Sequence, residues 1–170
     1  MMIRLLSILT LCLLSSTFLL GQDARLAAQY YRDGEYEKAS QVYRQLFEKN
    51  NNDYYLDKYV DCLLNLENFR EAEKVLKQQI KKDPGEVNLY VMHGKILERQ
   101  LKGQAAEKQY EMALRKLPAK PGEITQLANA FINMTKYEYA IRTFERGNQL
   151  MAGKYSFAYN LGDLYRRKGD

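Results

Sequence analysis

Histidine occurs once in the 170 residues, at His93, and cysteine twice, at Cys12 and Cys62. A zinc site usually takes three or four Cys, His or carboxylate ligands. The sequence therefore predicts no metal centre, no cofactor and no enzyme within these residues. No glycine-rich stretch has the form of a phosphate-cradling loop. Proline occurs only three times and strand-forming runs are scarce, which argues against disordered, fibrous and sheet-built chains. Ala, Leu, Glu, Lys, Gln and Arg, the good helix formers, dominate instead. Hydrophobic residues make up 46% and charged residues 28%, a balance with room for one domain and a sizeable core.

The start of the chain differs from the rest. Arg4 supplies one positive charge, and Leu5 to Leu20 then runs uncharged up to Gly21 and the polar Gln22-Asp23. A charged start, an apolar stretch and a small residue form the pattern of a secretory signal peptide. Residues 1–21 are assigned to it, with cleavage near Gly21 and a periplasmic or secreted destination. The competing reading is an uncleaved anchor, but the stretch falls short of the roughly 20 residues that span a bilayer. Cleavage removes Cys12 and leaves Cys62 as the one cysteine, so no internal disulfide is possible.

The rest is a repeat. Glu35-Tyr36-Glu37-Lys38-Ala39, Asn68-Phe69-Arg70-Glu71-Ala72, Gly103-Gln104-Ala105-Ala106 and Lys136-Tyr137-Glu138-Tyr139-Ala140 end in alanines spaced 33, 34 and 34 residues apart. Four residues after each alanine stands a large side chain: Tyr43, Leu76, Tyr110 and Phe144. A second amphipathic segment precedes each phrase. The unit is two antiparallel helices joined by a short turn, with small residues where the helices cross closely. This resembles the tetratricopeptide repeat, whose motif runs Trp-x-x-Leu-Gly-x-x-Tyr, Ala-x-x-x-Phe, Pro. Tyr90, His93-Gly94, Leu97, Ala106, Tyr110, Ala113 and Pro118 carry it best, and Asp23 stands in the tryptophan slot of the first repeat.

The resemblance, to an exported bacterial-type member of the family, implies an all-α fold. It would be a right-handed superhelical solenoid of antiparallel helix pairs with about four and a half repeats. These span about 22–52, 53–86, 87–120, 121–154 and, in part, 155–170. Asp23 is expected to cap the first helix of the mature chain. Gly94 and Gly162 are explained by close helix packing. Ala158, Leu161, Gly162 and Tyr165 open a fifth unit prepared for a partner helix, so the natural product is expected to continue past Asp170.

The chemistry-bearing side chains read as structure. His93 falls on a packing face beside Gly94, and Cys62 sits among Tyr59, Val60, Leu63 and Leu64 as an inert core thiol. The net charge of +5 invites nucleic acid. However, Lys77, Lys81, Lys82, Arg115, Lys116 and Lys120 lie near the ends of second helices, where cations suit the helix dipole. No nucleic-acid partner is expected. Most of the fourteen tyrosines fill core slots. Asn133-Met134-Thr135 matches the glycosylation sequon.

In the family resembled, the first helix of each unit lines a concave groove in which partner peptides commonly lie. Helical phase then nominates Tyr31 and Arg32; Tyr54, Asp57, Asp61, Leu64 and Asn65; Val91, Lys95, Glu98 and Arg99; and Thr125, Asn129, Ile132 and Asn133. The last helix adds Tyr159, Asp163 and Arg166. Chaperone-binding members grip a terminal carboxylate with lysine, arginine and asparagine. Here Thr125 replaces the lysine, and Asp57 and Asp61 would repel the tail. The function expected is a scaffold holding a protein or peptide segment. The alternative is the extracytoplasmic sensor region of a larger membrane signalling protein, with a kinase or DNA-binding output downstream. Membrane attachment is expected only through an uncleaved leader or a downstream segment, and self-association through the last helix.

Overall fold

A computed structural model describes residues 21–169. The signal-peptide assignment lies outside the described residues, apart from Gly21. Among the described residues every regular element is a helix: α1 (residues 21–32), α2 (Tyr36–Asn50), α3 (Asp53–Asn65), α4 (Phe69–Lys82), α5 (Val87–Arg99), α6 (Gly103–Lys116), α7 (Pro121–Asn133), α8 (Tyr137–Met151) and α9 (Ala158–Lys168). None is long and apolar enough to cross a membrane. The chain divides within α4 into one unit up to Ala72 and another from Glu73.

Each hairpin turn is closed by the same backbone device. The N–H groups of Glu35, Asn68, Lys102 and Lys136 donate to the carbonyls of Tyr30, Leu63, Leu97 and Phe131 at 2.8–2.9 Å. One residue earlier, Gly34, Glu67, Leu101 and Thr135 donate to Tyr31, Leu64, Glu98 and Ile132 at 2.8–3.3 Å. This double closure is the Schellman motif, which requires a left-handed residue just past the helix. Those residues have φ of 76°, 54°, 61° and 58°. Only the first is glycine, so the other three hold a conformation that L side chains disfavour.

In the first unit, α2 packs against α3 around Ala39, Tyr43, Leu46, Leu56, Val60 and Leu63, all buried, and Ala27 of α1 is buried as well. In the second, α5 packs on α6, α7 on α8 and α8 on α9. One continuous core there runs from Val87 through Tyr110, Phe131 and Phe144 to Phe157 and Leu164. The four recurring alanines are fully buried, as are Leu76 and Tyr110. Their small side chains let the hairpin backbones approach. The closest approach is at Gly94, where a Cβ would stand 2.2 Å from Cε1 of Tyr110. Gly147 is similarly tight, 2.6 Å from Ile124 and 2.9 Å from Phe157.

Two expectations need correction. Gly162 is exposed, with nothing within 4 Å of where its Cβ would stand. α9 packs on α8, and its buried side chain is Leu164, on a different face from Gly162. Asp23 is not a cap, because the chain is already helical at Gly21 and Asp23 falls inside the helical run.

The crossing and the turn make opposite demands on size. Gly94→Ala should destabilise by about 1–3 kcal/mol through overpacking against a ring that cannot move aside, despite alanine's helix-propensity gain of up to about 1 kcal/mol. Leu101→Gly, at a side chain 94% exposed, should stabilise by about 0.5–1 kcal/mol by relieving the left-handed turn. Urea unfolding monitored by circular dichroism measures both signs.

Candidate partner-binding surface

The first helices α3, α5 and α7 pack through a wide apolar arc and keep a narrower strip in contact with water, whereas α1 buries Ala27 and is otherwise largely exposed. In the first unit that strip carries Arg32, Tyr54 and Asn65, which are exposed, and Tyr31, Asp57 and Asp61, which are half-buried. Tyr54 is 54% exposed. Asn65 turns its Nδ2 back to the carbonyl of Asp61 at 2.8 Å, so one of its donors is used within its own helix.

Aromatic rings connect α1, α2 and α3. Tyr31 meets Tyr36 edge-on at 5.5 Å between centroids and Tyr43 at 6.5 Å, and Tyr54 meets Tyr55 at 5.6 Å. Burial, reinforced by Asp61, pushes the Tyr31 hydroxyl pKa above its ordinary value. Lys58 places its ammonium 5.0 Å from the Tyr31 ring centroid and 5.8 Å from that of Tyr54. The nomination from sequence omitted Lys58. Its position four residues after Tyr54, one turn along the same face, was a signal that could have found it.

In the second unit, Arg99, Asn129 and Asn133 are exposed, while Lys95, Glu98, Thr125 and Ile132 are half-buried. Glu98 forms an ion pair with Lys136, whose ammonium also stands 5.1 Å from the Tyr110 ring centroid. Glu98 thus belongs partly to the packing of the hairpins. Thr125 donates its hydroxyl to Pro121 O at 2.9 Å. On α9, Tyr159 is 89% exposed, and Asp163 pairs with Arg166 at 2.6 Å and Arg167 at 2.7 Å.

Leu64 and Val91 are corrections to the nominated set. They are 1% and 3% exposed, so neither presents a surface to a partner. On α3 the buried set runs through Leu56, Tyr59, Val60, Cys62, Leu63 and Leu64. On α5 it runs through Leu89, Tyr90, Val91, His93, Gly94, Ile96 and Leu97. Both arcs are wider than a single-sided amphipathic helix requires, and they absorb these two positions.

The second helices carry a different feature. A depression of about 310 Å³ between α6 and α8 is bordered by Glu111, Arg115, Arg142, Glu145 and Arg146. Its charges largely satisfy one another. Arg142 grips Glu111 through two bonds of 2.6 and 2.9 Å, and Arg146 donates to Leu114 O at 3.2 Å. This is a brace between successive hairpins.

Buried chemistry is quiet. Cys62 is fully buried, and burial pushes its thiol up to about 12. His93 is buried, and loss of solvation pulls its imidazole below its ordinary value, with Gln109 and Glu73 pulling the other way. Among the described residues no group of three or more His, Cys, Asp or Glu could hold a metal ion.

Stacked helical hairpins with capped turns and alanine crossings define a helical-repeat protein whose exposed side chains, not buried ones, are available for recognition. The fold is all-α and tetratricopeptide-like, and residues 30–92 match the family model described as tetratricopeptide repeat. Among solved structures, PcrH in complex with the chaperone binding region of PopB is 17% identical, covering 67% of this chain and 93% of that one with a TM-score of 0.53. MamA from Desulfovibrio magneticus RS-1 is 19% identical, covering 89% and 86% with a TM-score of 0.48. TTC0263, a thermophilic TPR protein in Thermus thermophilus, is 17% identical, covering 88% and 83% with a TM-score of 0.47. No curated protein sequence matches the chain.

The His93 environment has a pH consequence. The unfolded histidine titrates near 6.5, and the folded one only at lower pH. The unfolded chain therefore binds the extra proton first, and stability falls as pH drops through that value. The urea midpoint should fall between about pH 7 and pH 5.5, and His93→Gln should remove that portion of the fall.

Proposed function

We propose that the protein is an interaction scaffold that holds a polypeptide segment against the water-facing strips of its first helices, and that residues 1–21 direct its export to the periplasm or cell envelope. The observation that carries the scaffold reading is the division of labour within each hairpin. The interior is filled by packing side chains, while the first helices hold out Tyr54, Arg99, Asn129 and Asn133. An aromatic group in the first unit, and cationic and amide groups in the second, stand on rigid helices, where recognition carries little ordering cost. PcrH, the structure similar in fold, is seen with a region of PopB bound, which supports a polypeptide as the occupant. Export rests on the residues themselves: Arg4, the uncharged Leu5 to Leu20, and Gly21.

Photo-crosslinking side chains placed singly at Tyr54, Lys95 and Asn129 should trap a polypeptide in the native host. The same groups at Lys49, Lys81 and Arg115 on the second helices should not. Crosslinks from the second helices alone, or from no position, would refute the assignment. Intact mass of protein released by osmotic shock should show loss of residues 1–21. Full-length protein retained in the cytoplasm would remove the export reading.

A further inference from the structure

The tyrosine strip of the first unit contains an arrangement the scaffold reading does not use. Tyr31 reaches from α1, and Tyr54, Asp57 and Asp61 lie along one face of α3 at helical spacing, converging with Tyr31. The ammonium of Lys58 lies over both rings, 5.0 and 5.8 Å from their centroids. An aromatic face attracts a cation through its quadrupole, and two carboxylates nearby add an attraction of the same sign. The field of Asp61 and Asp57 reaches this point, because both contribute to holding the Tyr31 hydroxyl protonated. The rings are not free to collapse onto each other. Tyr31 is wedged edge-on by Tyr36 and Tyr43, and Tyr54 is buttressed by Tyr55.

We infer that Tyr31, Tyr54, Asp57 and Asp61 form a seat for a cationic side chain, filled by Lys58 in the unbound protein, that takes an arginine from a basic polypeptide segment in its place. This rests on the scaffold reading and names the chemistry of one part of its surface. Lys58 shows that one ammonium can reach the faces of both rings at once. It is also a weak occupant, a strongly hydrated point charge on a flexible stem. A guanidinium is planar, less hydrated and stacks on tyrosine. With Tyr54 half exposed, the seat is open to an incoming chain. Lys58 is then a built-in competitor. An arginine must displace it, so segments without a well-placed cation gain nothing.

The test uses full-length protein carrying isotope-labelled tyrosine rings, with Tyr31 and Tyr54 assigned through phenylalanine variants. The probes are a capped glycine–serine nonapeptide with a central arginine and its twin with citrulline, which keeps the shape without the charge. The arginine peptide should shift both rings saturably and bind at least about fivefold tighter than the citrulline twin. Tyr54→Ala, and separately Asp57→Asn with Asp61→Asn, should weaken it. Lys58→Ala should tighten it by about two- to fivefold, because the competitor is gone. None of the three variants alters a fully buried position, and circular dichroism confirms their helix content. Equal binding of the two peptides, or no saturable shift, overturns the inference. So does weaker binding by Lys58→Ala, which would make the lysine a ligand contact and not a rival. If polypeptide crosslinks persist at Tyr54, Lys95 or Asn129 while the arginine peptide fails, only the seat is lost. If those crosslinks are also absent, the scaffold reading falls as well.

Discussion

Two helices of a hairpin can nest only as closely as the side chains at their crossing permit. At α5 and α6 the limit is reached: Gly94 leaves the face that the ring of Tyr110 occupies. The same position of the first helix holds Ala27 and Ala128 in other hairpins, opposite the slots filled by Tyr43 and Phe144, and all four are buried. Smallness on one helix is matched by bulk on the other, which keeps the interior close-packed. Everything a first helix shows to water is positioned by this contact, because crossing distance and helix rotation are set together.

The turns complete that constraint. A Schellman closure ends each first helix and sends the chain back within three residues. It recurs at Gly34, Glu67, Leu101 and Thr135 although only the first of these is suited to the left-handed conformation. Local preference is overruled by the fully buried residues on either side. The water-facing strips, once fixed, are rich in groups that bind one another: Glu98 with Lys136, Asp163 with Arg166, and Lys58 with two tyrosine rings. A segment docking on these strips, as proposed above, would compete with these internal pairings, and its selectivity would then rest on what it displaces as well as on what it touches.

The helix-pair architecture was legible because its signal is redundant. An alanine and a bulky residue four positions later, repeated at a near-constant interval, describe a crossing without reference to anything distant. His93 and Cys62 were legible as packing residues for the same reason, each lying among apolar neighbours on its own helix. The candidate recognition surface was only partly legible. Helical phase separates the face toward the hairpin partner from the remainder, and Tyr54, Arg99, Asn129 and Asn133 indeed face water. It cannot say how far round the helix burial extends. Leu64 and Val91 lie on the flank of the core stripe, and that flank is also covered. Gly162 erred in the other direction, since a small residue in the right slot implies a close neighbour only where one is present.

The sequence by itself determined the repeat, the helices and the small-against-large crossings, because these depend on spacing along one chain and on side-chain size. Only the tertiary structure decided which flanks are covered, that Lys58 reaches the rings of both Tyr31 and Tyr54, and that Glu98 is engaged by Lys136. Those outcomes depend on distances between side chains on different helices, which no periodicity within a single helix encodes.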